Sequence, residues 1–171
     1  NNFKLRIIKE DFAYTINELV AEAKKLKPHF IPRAINRAYY ADINFELLGE
    51  IIESATGLGL NEVYRHYIFE PLGLKNTYLP VSENDFIPDI YYKEKAIYRP
   101  RFVMSSPASG GCVTSARELM IFLKAFFSGG LFGISILDKL SSFNKLQVSM
   151  GPICYGCGYM RIPLSGITTF F

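Results

Sequence analysis

The stretch YYADINFELLGEIIE, residues 39–53, decides how the chain is interpreted. After Asp42 its apolar residues recur at helical spacing, and Asp42 itself is a residue type that caps helix starts. Gly57 is a plausible stop for the helix. The side chains predicted to face inward are Ile43, Leu47, Leu48, Ile51, Ile52 and Ala55, and those predicted to face outward are Glu46, Glu50 and Glu53. Taken alone, the stretch places a Tyr hydroxyl and a short polar side chain just before a buried helix.

Other helices are predicted on both sides of this stretch. Apolar periodicity indicates one helix over residues 14–27, and Asn61 is suited to cap a third. Ser115 followed by Glu118 has the spacing of a capping box, in which the two side chains satisfy free N–H groups at a helix start. Four prolines indicate a loop with short extended pieces over residues 76–108, and a strand is predicted from about residue 153 onward.

Composition narrows the class of protein. The chain has 171 residues, of which 49% are hydrophobic and 20% charged, so it is not a disordered segment. Its net charge of +3 is too small to indicate nucleic acid or an anionic membrane as a partner. No run reaches the ~18 apolar residues that a membrane span requires. Three cysteines are too few for a disulfide scaffold, and the compartment stays open.

Two short motifs have the spacing of known chemical sites. Cys154 and Cys157 match a redox or metal pair, but a glycine-rich, strand-like segment follows and no second pair completes a zinc site. Ser142 and Lys145 match Ser-x-x-Lys, which on a helix would place an amine one turn from a hydroxyl, but no buried helix start is evident there. The two histidines are too far apart in the chain for a convincing metal cluster. We therefore predict no cofactor and no metal.

Three blocks of the sequence occur in an order that is typical of one family. Residues 39–53 resemble the second motif of the serine β-lactamase-like family, which includes class C β-lactamases, D-alanyl-D-alanine carboxypeptidases and related esterases. Residues 68–77, IFEPLGLKNT, resemble that family's helix end, and residues 109–119, SGGCVTSAREL, resemble a helix start that follows it. Residues 155–159 are similar to the strand entry that comes next. The resemblance runs from about residue 30 to residue 160.

The resemblance implies an α+β fold in which an antiparallel sheet is flanked by helices and lies beside a mostly helical region. This chain would supply the mostly helical part of a β-lactamase/transpeptidase-like fold, with the start of the antiparallel sheet near its C-terminus. We expect residues 1–171 to form one partial domain. Within it, residues 1–152 are expected to be mainly helical, with the loop at 76–108, and residues 153–171 to begin the sheet region.

The resemblance also implies acyl transfer through a covalent seryl intermediate, with an ester, amide or β-lactam as substrate. By position, Tyr40 would transfer a proton together with a lysine, and Asp42 would hydrogen-bond the substrate or that lysine. The Leu-Leu-Gly at residues 47–49 fixes the register, which selects Tyr40 over Tyr39. The implied partner is a small-molecule or peptide-like substrate and not a nucleic acid. Asp42, where Asn is more familiar, favours an esterase or peptidase-like relative.

Two of the family's three catalytic elements are missing from their expected places. No Ser-x-x-Lys precedes Tyr40, no Lys/His-Ser/Thr-Gly follows it, and the motif at Ser142 lies on the wrong side. Loss of a nucleophile and its base removes most of such a site's catalytic power. We therefore expect a serine hydrolase present here as a fragment that is inactive alone. The alternatives are a non-catalytic binding or structural module descended from that family and a cysteine-based redox protein.

Overall fold

The structure, a computed structural model, describes residues 2–146, 151–164 and 167–170. The helices are α1 (Asn2–Lys9), α2 (Ile16–Lys24), α3 (Asp42–Thr56), α4 (Leu60–Tyr64), a π-helical turn (Arg65–Phe69), α5 (Glu70–Leu72), α6 (Pro100–Met104), α7 (Ala116–Ser128) and α8 (Ser135–Leu140). The strands are β1 (Ile90–Tyr92), β2 (Lys95–Ile97), β3 (Asn144–Lys145), β4 (Cys154–Tyr155), β5 (Met160–Leu164) and β6 (Ile167–Phe170). This mixture of helices and small antiparallel sheets confirms the predicted fold class.

The chain divides into two compact units. The first unit contains residues 1–25 and 42–122, and the second contains residues 26–41 and 123–171. The first unit is mostly helical and includes the antiparallel hairpin β1–β2. Its buried hydrophobic residues are Phe12, Leu60, Val63, Phe69, Leu74, Leu79, Ile87 and Ile97. The expectation of one partial domain stays a prediction.

Helix α3 confirms the predicted helix but presents a different face to the core. It ends before Gly57, whose φ of 68° lies in the left-handed region and whose N–H bonds the carbonyl of Glu53 at 2.8 Å. The predicted inward face is wrong for Leu47, Leu48 and Ile51, which are 40%, 52% and 61% exposed, and for Ala55, which is also exposed. The residues of α3 that are buried are Glu46 and Gly49.

Two contacts explain this inverted face. The Glu46 carboxylate accepts hydrogen bonds from the backbone N–H and the hydroxyl of Ser109, which compensates its burial. Gly49 allows a close approach, because a Cβ at this position would lie 3.0 Å from the Cβ of Ala108. The buried side of α3 is therefore determined by contacts with a segment 63 residues further along the chain. The spacing of apolar residues within the helix does not predict these contacts.

Two helix starts in the first unit differ from the predictions. Helix α4 begins after Gly59, so the predicted cap at Asn61 is wrong, and the Glu53 carboxylate accepts the Leu60 N–H at 2.7 Å instead. Helix α6, which lies within the predicted loop 76–108, was not predicted. Its first N–H groups are bonded by Asp11, whose carboxylate accepts from Arg101 and Phe102 at 3.0 and 3.1 Å. The residue that accepts these N–H groups at the start of α6 therefore lies about ninety residues earlier in the sequence.

The second unit contains the four-stranded antiparallel sheet, in the order β3-β4-β5-β6. Its first strand, β3, already lies at residues 144–145, ahead of the predicted start of the sheet region. The buried ring of Tyr159 lies 5.1 to 5.9 Å from those of Phe126, Phe127 and Phe143, each in an edge-to-face arrangement. Tyr159 and Leu146 are the buried hydrophobic residues among the described part of this unit, and the three phenylalanines around Tyr159 are half-buried.

Candidate active site

Tyr40 lies in the second unit, in a segment that runs beside strand β3. The backbone N–H of Ala38 donates to the carbonyl of Lys145 at 2.9 Å, and Arg37 forms a parallel bridge with the same residue. Tyr40 is half-buried, and its ring meets that of Tyr155 edge to face, with centroids 5.7 Å apart and an angle of 81° between the planes. The sheet therefore holds the backbone before Tyr40 through β3 and contacts the Tyr40 ring through Tyr155 of β4.

The neighbour of Tyr40 keeps its proton. Burial is the largest cause that raises the pKa of Tyr155 to about 12, and the nearby Tyr40 hydroxyl and Cys157 thiol contribute to the same shift because a second negative charge beside them is unfavourable. The Tyr155 hydroxyl is uncharged at neutral pH, as any tyrosine is, and the raised pKa extends this to higher pH. Sequence reasoning did not single out Tyr155, because only the pairing of β4 with β3 brings it to the segment that carries Tyr40.

Asp42 lies in the first unit as the first residue of α3, and its side chain is exposed. A carboxylate in the first turn of a helix is stabilised by the helix dipole. Asp42 also contributes to the environment of Tyr14, whose pKa is raised mainly by burial and further by the carboxylates of Glu46 and Asp42. The hydrogen bond that Tyr14 shares with Ser106 acts in the opposite direction. Tyr40 and Asp42, the two predicted site residues, thus belong to different units.

The first unit brings together the sequence blocks at 68–77 and 109–119 through one carboxylate. Glu118 accepts the backbone N–H groups of Lys75 and Asn76 at 3.0 Å, the Asn76 side-chain amide at 2.9 Å and the Thr77 hydroxyl at 2.5 Å. These hydrogen bonds hold the pKa of Glu118 below its ordinary value, and the bond from Thr77 makes the largest contribution. We call Glu118 with residues 75–77 the carboxylate cluster.

The carboxylate cluster replaces half of the predicted capping box. The Glu118 N–H does bond the Ser115 hydroxyl at 3.3 Å, and α7 begins one residue after Ser115, as the box predicts. The Glu118 side chain, however, turns to residues 75–77 instead of to the N-cap backbone. Because the Ser109 N–H and hydroxyl donate to the Glu46 carboxylate, helix α3 of the block at 39–53 is joined to the block at 109–119 as well.

A family model described as Beta-lactamase matches residues 2–160. The chain belongs to the beta-lactamase family. Among solved structures it is similar to a D-stereospecific amidohydrolase from Streptomyces sp., with 25% identity and a TM-score of 0.74 over 92% of this chain and 48% of that one. D-amino acid amidase from Ochrobactrum anthropi SV3 is 19% identical, with a TM-score of 0.76 over 98% and 52% of the two chains.

A third similar structure is the octameric penicillin-binding protein homologue from Pyrococcus abyssi. It is 23% identical, with a TM-score of 0.73 over 96% of this chain and 40% of that one. This beta-lactamase family chain therefore spans about half the length, or less, of the solved structures it resembles. The family assignment confirms the resemblance that residues 39–53, 68–77 and 109–119 indicated.

The two other motifs of this beta-lactamase family chain lie outside the helices. Ser142 follows the end of α8 and Lys145 lies in β3, so their Ser-x-x-Lys spacing is not on a helix. Cys154 and Cys157 are free thiols. Across residues 2–146, 151–164 and 167–170, no group of three His, Cys, Asp or Glu side chains could hold a metal ion. No helix in that part of the chain has both the length and the apolar character to cross a membrane.

Proposed function

We propose that this chain is part of a serine hydrolase that cleaves an amide or ester bond by acyl transfer. The family match over residues 2–160 carries the proposal. Amide cleavage is favoured over β-lactam cleavage by the similarity to a D-stereospecific amidohydrolase at 25% identity and by Asp42, where Asn is more familiar in the family. The substrate is a small molecule or a peptide-like compound.

In this proposal Tyr40 transfers a proton during acyl transfer, and Asp42 accepts a hydrogen bond from the substrate or from the lysine that works with Tyr40. The position of Tyr40 supports this role, since its ring is held against Tyr155 and its backbone against β3. Tyr155, with its raised pKa, adds no negative charge that would oppose the ionisation of a neighbouring hydroxyl at neutral pH. Asp42 is exposed and so is accessible to a substrate.

We further propose that the 171 residues alone are inactive, because they contain no Ser-x-x-Lys before Tyr40. The test offers the purified chain a chromogenic cephalosporin, p-nitrophenyl acetate and D-phenylalanine amide, and then a fluorescent penicillin. We expect no turnover above buffer and no covalent mass increase. A penicillin adduct mapped to Ser142 would contradict this proposal and make that serine the nucleophile.

The hypothesis that the chain is part of a serine hydrolase is tested on the native polypeptide that carries these residues. Its intact mass and coding sequence show whether a Ser-x-x-Lys precedes Tyr40. Tyr40→Phe in an active native protein is expected to lower kcat by about 10² to 10⁴, the usual contribution of a positioned proton-transfer group. Tyr39→Phe, one residue away, is the matched control and should keep kcat within a few-fold. A native chain without the nucleophile motif would favour a non-catalytic binding module. Equal effects of the two substitutions on kcat would contradict the role proposed for Tyr40.

A further inference from the structure

A pocket of about 630 Å³ lies beside the hairpin β1–β2 in the first unit. We call it the hairpin pocket, and it is lined by residues 83–89, Tyr91 and Tyr98. Its aromatic side chains are accessible, since Phe86, Tyr91 and Tyr98 are 72%, 70% and 49% exposed. None of these three rings stacks on another ring in the described part of the chain. Single exposed apolar residues are common on proteins, but a group of them around one cavity marks an interaction site.

The register of the hairpin places Tyr91 and Tyr98 on its outer face. Side chains alternate between the two faces of a strand, so Tyr91 and its partner Ala96 lie on the face opposite to Ile90 and Ile97. Ile97 is buried, which identifies its face as the one toward the core. Tyr98 directly follows Ile97 and continues the alternation on the outer side. Because Ala96 is small, the Tyr91 ring has no large neighbour across the hairpin to cover it.

The loop on the other side of the hairpin pocket is held by hydrogen bonds. The Asp85 carboxylate accepts the backbone N–H groups of Val81 and Ser82 at 2.8 and 2.9 Å. The Tyr78 hydroxyl donates to the carbonyl of Phe86 at 2.6 Å. A site that is ordered before binding loses less conformational entropy when a ligand arrives. The backbone that carries Phe86 is therefore prepared for a ligand by contacts within the chain.

The charge of the hairpin pocket is negative. Three of its lining residues, Glu83, Asp85 and Asp89, are acidic, and none is a lysine or an arginine. Glu83 and Asp89 are exposed and form no ion pair in the described part of the chain. Lys93, in the hairpin turn, lies against Tyr92 instead, with its Nζ 5.8 Å from the ring centroid. The chain as a whole carries +3, so this negative charge is local to the pocket and suits a cationic group.

We propose that the hairpin pocket binds an arginine side chain of a peptide or protein partner. A guanidinium group is planar and stacks on aromatic rings, here those of Tyr91 and Tyr98. Its fixed fork of N–H donors also matches a carboxylate, here that of Glu83 or Asp89. The ammonium group of lysine is a compact point charge without this planar fork, and an anion would be repelled. The proposal does not depend on acyl transfer, because none of the residues assigned to that reaction lines the pocket.

Binding of short peptides to the native polypeptide tests the proposal without any turnover. NMR titration compares N-acetyl-Ala-Arg-Ala amide with the corresponding citrulline peptide, whose side chain has nearly the same shape but no charge. We expect the arginine peptide to bind about tenfold more tightly, as a charge-assisted hydrogen bond and a cation–π contact would provide. The corresponding lysine peptide should bind several-fold more weakly than the arginine peptide. Raising the salt concentration from about 50 to 500 mM should narrow the ratio between the arginine and citrulline peptides.

Variants locate the binding at the hairpin pocket. Tyr91→Leu keeps an apolar side chain but removes the ring, and it should weaken binding of the arginine peptide several-fold. The double variant Glu83→Gln/Asp89→Asn should remove most of the preference for arginine over citrulline. The matched controls are Tyr92→Leu and Glu94→Gln, which change a tyrosine and a glutamate of the same hairpin that do not line the pocket. Both controls should keep the affinity and the preference of the unmodified protein.

Equal affinities for the arginine and citrulline peptides would overturn the proposal, as would the absence of binding at millimolar peptide. An equal loss of affinity in Tyr91→Leu and Tyr92→Leu, or an unchanged preference in the double variant, would place the binding elsewhere and also refute it. A trimethyllysine peptide that binds more tightly than the arginine peptide would contradict the guanidinium assignment and indicate a site for quaternary ammonium groups. None of these outcomes bears on the hydrolase assignment, which is tested separately through kcat.

Discussion

The carboxylate cluster of the first unit and the Tyr40 segment of the second, residues 36–40, use polar groups in opposite ways. Glu118 accepts four hydrogen bonds from residues 75–77, and its negative charge is fully engaged in holding two parts of the chain together. In the Tyr40 segment, Arg37 and Tyr39 are exposed and Tyr40 is half-buried. The difference separates side chains that hold the fold from side chains that are available to a ligand.

Removing the charge of the carboxylate cluster is expected to have the largest effect. Glu118→Gln keeps the shape but exchanges one acceptor oxygen for an amide that cannot accept the N–H groups or the hydroxyl of residues 75–77. Buried donors left without acceptors are costly. We expect the melting temperature to fall by on the order of 10 °C, a change that several lost hydrogen bonds would cause in a chain of this size. Thermal unfolding followed by circular dichroism measures it.

The matched control is Glu50→Gln, at an exposed glutamate of α3, which should shift the melting temperature by no more than a degree or two. The pH dependence adds a second criterion. Since the pKa of Glu118 is lowered in the folded state, its stabilisation is present above the ordinary carboxyl pKa and is lost as pH falls through the folded value. The difference in melting temperature between the unmodified chain and Glu118→Gln should therefore shrink from pH 6 to pH 3. A difference that stays constant over this pH range would show that the negative charge of Glu118 does not contribute to the stabilisation.

A smaller effect is expected in the second unit, on the ionisation of Tyr155. Tyr40→Phe removes one cause of the raised pKa but leaves the larger one, burial, so the pKa should move from about 12 only part of the way to the ordinary value of 10. Carbon-13 NMR of the labelled tyrosine ring carbons at high pH measures it. Because the pKa is raised, Tyr155 favours the fold below pH 10 and loses that contribution as pH rises toward 12.

Tyr39→Phe is the control for this measurement, since Tyr39 stacks on His29 and is not among the causes of the Tyr155 shift. An unchanged pKa in Tyr40→Phe would show that the two hydroxyls do not interact. That result would remove Tyr155 from the environment proposed for proton transfer.

The sequence predicted the parts of this fold that depend on neighbours along the chain. Helix α3 with its stop at Gly57, the start of α7 after Ser115 and the family assignment are confirmed. Each rests on local periodicity, on capping chemistry or on short blocks of residues. The roles of Tyr40 and Asp42, which came from the resemblance, stay predictions.

The parts that could not be predicted depend on partners far along the chain. Glu46 is buried because Ser109, 63 residues away, supplies two donors, and Glu118 turns away from its own helix start because Asn76 and Thr77 lie within reach. Helix α6 begins where Asp11 accepts its N–H groups. A glutamate in a helical period looks like a surface residue until its donor is known, which is why the face of α3 was assigned wrongly.

The smallest effect concerns backbone strain, which occurs in both units. Arg33 in that unit and Lys93 in the first have φ values of 64° and 55°, a region in which a side chain costs roughly 1–2 kcal/mol. Glycine removes this cost but adds roughly 0.5–1 kcal/mol of unfolded-state entropy. Arg33→Gly and Lys93→Gly should therefore each stabilise the chain by about 0.5 kcal/mol, seen as a higher urea midpoint at unchanged slope. Arg33→Ala keeps a Cβ and should bring no gain. Equal increases in the free energy of unfolding at the two positions would show that the strain is that of ordinary turns. An increase confined to Lys93→Gly would mean that contacts of the Arg33 side chain stabilise the fold by more than its backbone strain costs.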